Sequence, residues 1–144
     1  MTRAPYSAPM TDCVFCKIVA GEIPCHRVDE DDLTMSFMDI GQVNPGHVIV
    51  AVKSHAETLM DLTPDQAGAA FRTARRIARA VEGAFEPEGI TVVQANRPVG
   101  EQTVPHFHLH VVPRHTGDGM GFIWPTKHPP QEELAAYAAR IKPE

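Results

Sequence analysis

His106, His108 and His110 stand at every second position of the run "HFHLHVV", with apolar residues between them. A neutral imidazole offers a lone pair near pH 7 without prior deprotonation, so such a row suits nucleophilic attack, proton handling or metal ligation. In a β-strand alternate side chains share a face, which sets the three rings in one row and Phe107, Leu109 and Val111 in the core behind them. Neighbouring rings then lie about 7 Å apart and the outer two about 13 Å. An ion with ligands at about 2 Å cannot gather all three from that row. The spacing instead suits one working ring, His108, flanked by rings that hold its tautomer or serve adjoining sites. Three polar rings pack a strand face poorly compared with Val or Thr, which favours a functional row over an incidental one.

A second set is Cys13-x-x-Cys16. This is half of a tetrahedral zinc site and needs two further ligands; incidental cysteines or a redox pair share the spacing, although no thioredoxin-like βαβ pattern surrounds it. The third cysteine, Cys25, reads as a bystander, and His26, His115 and His128 read as surface residues. The odd number of cysteines and a start, "MTRAPYSAPM", without the marks of an export signal point to a reducing cytoplasm and no disulfides.

The elements that must position these residues follow from composition and pattern. The chain has 144 residues, 43% hydrophobic and 22% charged, and a net charge of -5. That is about one domain, read as a loose tail over 1–11, a single domain over 12–144 and, within it, a C-terminal extension over 115–144 with a short helix. No apolar run approaches the roughly 18 residues of a membrane span, and the acidic balance disfavours nucleic acid. "CVFCKIVAGE" reads as a short helical turn closed by Gly21. Leu33 to Ile40 and His47 to Val52 read as a hairpin joined by the turn residues "GQVNPG".

From Thr63 onward, "TPDQ" is a capping box with proline at the first helical position, opening a long helix with Gly83 and Gly89 flanking its exit. Its stripe of Ala67, Ala70, Phe71, Ala74, Ile77, Ala78 and Val81 must lie on a sheet. Arg72, Arg75, Arg76 and Arg79 form a solvated opposite face. "ITVVQA" is a further strand, "NRPVGEQ" a loop, and "TVPHFHLHVVP" a long strand with Pro113 as its stop. The class is α+β: an antiparallel sheet of about five strands, with one long and shorter helices packed on one face. "GDGMG" lacks the spacing of a dinucleotide fingerprint, and no phosphate-binding P-loop is present.

With these residues assembled, the chain resembles the histidine-triad (HIT) superfamily, its bacterial branch. "HFHLHVV" is similar to the family signature, "DCVFCKIVAGEIP" to the N-terminal segment, and "FMDIGQVNPGHVIVAVKSH" to the central hairpin; the resemblance runs over about residues 12 to 114. It implies that His108 attacks the α-phosphorus of a nucleotide, forming a nucleotidyl-imidazole that water cleaves. It implies that His110 faces the phosphate oxygens or leaving group and that His47 completes the cluster. Thr103 and Gln102 match the phosphate loop, Asp39 the ribose-binding acid, Phe37 the base pocket, and Asn96 a neighbouring polar contact. It further implies a structural zinc on Cys13, Cys16, His55 and His106, no organic cofactor, a purine nucleotide substrate and a homodimer whose sheets join edge to edge. In that dimer Trp124 falls where the C-terminal segment reaches the partner's pocket; a core or surface Trp is the alternative.

Two positions depart from the family pattern. Glu101 stands where glycine is usual, and Ala95 where Asn or Gln is usual; a carboxylate beside a phosphate loop repels substrate unless it points away. The implied activity is hydrolysis of nucleoside phosphoramidates. Cleavage of dinucleoside polyphosphates, a low-turnover nucleotide sensor and a zinc hydrolase using the histidine row stand as rivals.

Overall fold

The computed structural model describes residues 12–144. The tail expected over 1–11 lies outside the described residues. Five strands, β1 (Arg27–Glu30), β2 (Thr34–Met38), β3 (Val48–Val52), β4 (Gly89–Gln94) and β5 (His108–Arg114), form one antiparallel sheet in the order β1-β2-β3-β5-β4. Among the described residues three α-helices accompany them, α1 (Val14–Val19), α2 (Pro64–Phe85) and α3 (Gln131–Arg140), with short 3-10 turns at Leu59–Asp61 and Pro98–Gly100. The expected five-stranded antiparallel sheet with one long helix and shorter ones is what the chain forms.

α2 begins as its sequence dictates. The Thr63 hydroxyl accepts from the Gln66 backbone N–H, the Gln66 side chain returns the bond, and Pro64 spends no needed donor at the first position. Ala70, Ala74, Ile77 and Val81 then pack on Val48, Val50, Val52, Phe107, Leu109 and Val111. Small alanines let the helix approach the sheet closely, and each fully buried Val, Leu or Phe contributes about 1.5–3 kcal/mol. Phe71 leaves the expected stripe and is 53% exposed. Thr73 takes the other flank of the buried arc instead, its hydroxyl 2.8 Å from that of Thr34. The helix also passes through Gly83, ending where Glu86 turns left-handed at φ 49°.

Short α1 lies on the other face of the sheet. Its Phe15 and Ile18 pack with Met35, Phe37, Ile49 and Ala51. Ile49 pairs with His110 and Ala51 with His108, so this is the face that carries the histidines. The helices are therefore divided, α2 behind the row and α1 over it.

β5 starts at His108, later than the expected Thr103, and continues through Pro113 to Arg114. A proline is tolerated there because the β3 ladder has already ended at Val48 and Val111, and the Pro113 carbonyl is taken by the Asn44 side chain at 2.8 Å. Gly46, beside His47, has φ 99°, and a Cβ there would come within 2.7 Å of the Phe85 ring. Only glycine fits that turn. Beyond β5, α3 has no buried residue, and Ile123 and Trp124 are 96% and 75% exposed. Among the described residues no helix is long and apolar enough to cross a membrane.

Candidate active site

His108 is buried in the middle of the row, and its Nδ1–H donates to the His106 carbonyl at 2.6 Å. That bond fixes the tautomer and leaves the lone pair on Nε2, which has no partner among the described residues. Phe15 stands edge-on to the ring, with centroids 4.9 Å apart and planes at 88°. Burial lowers the affinity of His108 for a proton, against the opposing pull of the His106 carbonyl and Asp39, so the ring is neutral near pH 7.

His110 and His47 form a pair beside it, with His47 Nε2 2.9 Å from His110 Nδ1. The Val43 N–H donates to His47 Nδ1 at 3.2 Å, so the His47 hydrogen lies on Nε2 and points to His110. By the same logic His110 carries its own hydrogen on Nε2. Burial first, then the neighbouring His108 and His47, push His110 down to about 4, with Asp39 pulling the other way. Burial also lowers His47, against Asp39 and the Gly41 backbone. Asp39 Oδ1 accepts from the Gly41 N–H at 2.8 Å, while Oδ2 lies 3.4 Å from His47 and 3.6 Å from His110.

His108, His110 and Asp39 border an open cavity of about 480 Å³, with His47 set behind His110 and outside the lining. Thr103, Asp39, His108 and His110 supply polar lining, and Phe15, Ile18, Ile23, Phe37 and Ile49 supply apolar walls. That mixture is typical of a small-molecule site. Cys25 and His26, read from sequence as a bystander and a surface residue, both line this cavity. Phe15, Ile18, Ile23 and Ile49 were not singled out by sequence. One signal could have found Phe15: it lies between Cys13 and Cys16, so any bond from those sulfurs to His106 brings it over the row.

Gln102 and Asn96 do not line the cavity. The Gln102 side chain accepts from the Arg97 N–H at 2.8 Å and donates to the Glu57 carbonyl at 2.6 Å; Asn96 accepts from the Leu59 N–H at 2.8 Å. Both brace the loop before β5 against the segment after β3. In that loop Arg97 and Glu101 adopt positive φ of 65° and 72°. Glu101 thus takes the left-handed conformation that glycine adopts without cost, and its exposed side chain does not line the cavity.

The second cluster sits at the other end of the row. Cys13 Sγ lies 3.3 Å from His106 Nδ1, and Cys16 Sγ lies 3.2 Å from His55 Nδ1 and 3.5 Å from His106 Nδ1. The four ligand atoms are within 4.8 Å of one another. His106 Nε2–H donates to the Val52 carbonyl at 2.5 Å, and His55 Nε2 faces the Glu57 carboxylate at 3.9 Å. The His106 ring therefore turns a lone pair on Nδ1 toward the sulfurs, and His55 presents its Nδ1 to Cys16. Tetrahedral zinc with Zn–S near 2.3 Å and Zn–N near 2.05 Å needs ligand atoms about 3.4–3.8 Å apart, so the set fits that ion closely. Burial first, and then Cys13, push the Cys16 thiol up to about 12, whereas a bound cation would hold it as thiolate.

Comparison with known proteins gives the same outline. The HIT domain family matches residues 20–117. The adenosine 5'-monophosphoramidase hnt1 of Schizosaccharomyces pombe is 32% identical over 130 residues, covering 90% of this chain and 95% of that protein. The crystal structure of a HIT-family member from Bacillus subtilis matches with a TM-score of 0.83 at 37% identity, over 92% of this chain and 99% of that one. A zinc-bound histidine triad family protein from Mycobacterium smegmatis matches with a TM-score of 0.73 at 33% identity, over 91% and 99% of the two chains.

Proposed function

Because the chain belongs to the HIT-domain family, we propose that it hydrolyses purine nucleotide conjugates at the α-phosphorus, nucleoside phosphoramidates foremost, with His108 as nucleophile. The observation that carries this reading is the bond from His108 Nδ1–H to the His106 carbonyl, which leaves an unpartnered Nε2 lone pair on a ring lining the cavity. Nε2 attacks phosphorus, and a P–N bond to the ring forms as the bond to the leaving amine breaks. The amine departs with the bonding pair and takes up a proton. Water then attacks phosphorus, the ring regains its lone pair, and nucleoside monophosphate leaves.

His110 and Thr103 direct hydrogen-bond donors at the phosphate oxygens, where charge accumulates. The base stacks among Phe15, Phe37 and their aliphatic neighbours. Asp39 accepts from the ribose hydroxyls with the lone pairs that Gly41 leaves free. The named activity of the Schizosaccharomyces pombe relative supports the substrate class. Gln102 and Asn96 act on substrate through the loop they brace.

Cys13, Cys16, His55 and His106 hold a structural zinc, a reading supported by their geometry and by the zinc-bound relative. That ion would tie α1 to the sheet and takes no part in bond making. In this reading a reducing cytoplasm keeps the thiols available. A homodimer, with the chain as one domain in each protomer, would cover β4, an edge strand with Val92 exposed, and the apolar residues Phe122, Ile123 and Trp124.

The test is steady-state hydrolysis of adenosine phosphoramidate and of diadenosine polyphosphates by wild type and His108→Ala. The expected result is preference for the phosphoramidate and a loss on the order of 10³-fold or more in the variant. Binding of adenosine monophosphate without turnover of either substrate would point to a sensor and overturn the hydrolase reading.

A further inference from the structure

His106 belongs to both clusters at once. Its ring faces the sulfurs, while its backbone carbonyl receives the His108 Nδ1–H. The ladder between β3 and β5 reaches only as far as Ala51 and His108, so no strand pairing holds that carbonyl in place. The His106 N–H closes a tight turn onto Val104 at 2.9 Å. Two anchors fix the residue: the Phe107 N–H of the same peptide donates to the Ala56 carbonyl, next to His55, at 2.7 Å, and the ring is held through Val52 on one nitrogen and the two cysteines on the other.

α1 makes a second connection. Phe15, between the two cysteines, stands edge-on to His106 at 5.8 Å and to His108 at 4.9 Å, and with Val14 and Ile18 it lines the cavity. A helix of six residues is far below the roughly 12–15 needed to persist alone, so its docking depends on what anchors it. Cys13 and Cys16 are at its start and within it.

We propose that Cys13, Cys16 and His106 are positioning residues for the nucleophile: a metal held by them with His55 fixes the carbonyl that orients His108 and fastens the wall of the nucleotide cavity. Metal occupancy then sets nucleotide affinity and the state of the His108 ring, beyond fold stability. This rests on the zinc and nucleophile assignments made above.

The experiment compares zinc-loaded protein, chelated protein and His55→Ala in reducing buffer, at a temperature where circular dichroism shows each folded. His55 neither lines the cavity nor contacts His108, and because its ring also packs edge-on to His106 at 5.3 Å, the chelated wild type, which keeps that ring, separates loss of the metal from loss of the side chain. Three quantities are read: zinc content, the dissociation constant for adenosine monophosphate, and the ¹H–¹⁵N ring correlation of His108. The expected result is an affinity loss of about 10-fold on removing the metal, with a shifted or broadened Nδ1–H signal. His55→Cys, which rebuilds a three-cysteine, one-histidine site, should restore all three. A lowered melting temperature with affinity within twofold and an unmoved His108 signal would overturn the proposal, as would a protein that takes up no zinc.

If the metal-free forms unfold, zinc- and cadmium-loaded proteins are compared. The larger ion must then move the His108 signal and the nucleotide affinity, and identical values would overturn the proposal. Absence of hydrolysis from every form, with the affinity and ring differences intact, would sink the hydrolase reading alone. Hydrolysis indifferent to zinc together with unchanged affinity would sink this inference alone.

Discussion

The two histidine clusters share one face of one sheet, and each brings its nitrogen, oxygen or sulfur atoms within 4.8 Å of one another. Distance does not separate them. What differs is the group behind each ring. His106 backs onto an acceptor, the Val52 carbonyl, so its inward nitrogen bears a lone pair, and His55 stands with the Glu57 carboxylate 3.9 Å behind it. His47 backs onto a donor, the Val43 N–H, so its inward nitrogen carries a hydrogen and passes it toward His110. A cation needs lone pairs from every ligand, and a hydrogen-bond relay needs donors and acceptors in alternation. The same residue type thus serves opposite ends, with the choice made by the group behind each ring.

The sharpest way to break this contrast is to remove one member from each cluster and measure zinc affinity by competition with a chromophoric chelator. Cys16→Ala should weaken zinc by more than the ~100-fold typical of changes to outer partners. Asp39→Asn should leave it within twofold, and titration should saturate at one zinc per chain. Equal losses in the two variants would erase the distinction. The reverse experiment reads activity: His47→Ala, which removes the donor to His110, should lower kcat by about 10–100-fold with zinc content unchanged.

A smaller effect appears in stability against pH. The His110 ring is held at about 4 in the fold, below the ordinary 6.5. Between those values the unfolded chain binds a proton that the folded ring refuses, so stability is full above pH 6.5 and declines as pH falls toward 4. Urea unfolding across that window should show a slope that His110→Asn reduces; an unchanged slope would mean that the ring is not buried neutral.

The smallest expected effect lies outside both clusters, as a control. Burial raises the Asp31 carboxyl, but donors from Thr34, Leu33 and Thr73 outweigh this and hold it at about 2. Its contribution is present above pH 3.8 and fades as pH falls toward 2. Asp31→Asn should flatten unfolding free energy in that acid range while leaving zinc affinity and kcat unchanged.

Much of this was legible in the residues, and the gaps have physical causes. Period-two spacing placed His106, His108 and His110 on one face, and the capping box placed the start of α2, because both are local signals. The side taken by α1 was not local. It depends on sulfurs reaching a histidine 90 or more residues away, and with that side went the cavity walls Phe15 and Ile18. Gln102 and Asn96 were recognisable as polar loop residues, yet their partners, Glu57 and Leu59, lie in a distant segment. Phe71 fell outside the buried arc because Thr73 had hydrogen-bond partners to satisfy on the opposite flank.

The central claim is that His108 bonds covalently to phosphorus through the nitrogen its carbonyl partner leaves free. Rapid mixing of zinc-loaded wild type with adenosine phosphoramidate, followed by a denaturing quench that preserves phosphoramidates and mass spectrometry of the digested chain, reads this directly. One adenylyl group on His108, formed and lost at rates compatible with turnover and absent from His108→Ala, is the predicted result. Turnover with no adduct on that ring, or an adduct on His110 in its place, would contradict it.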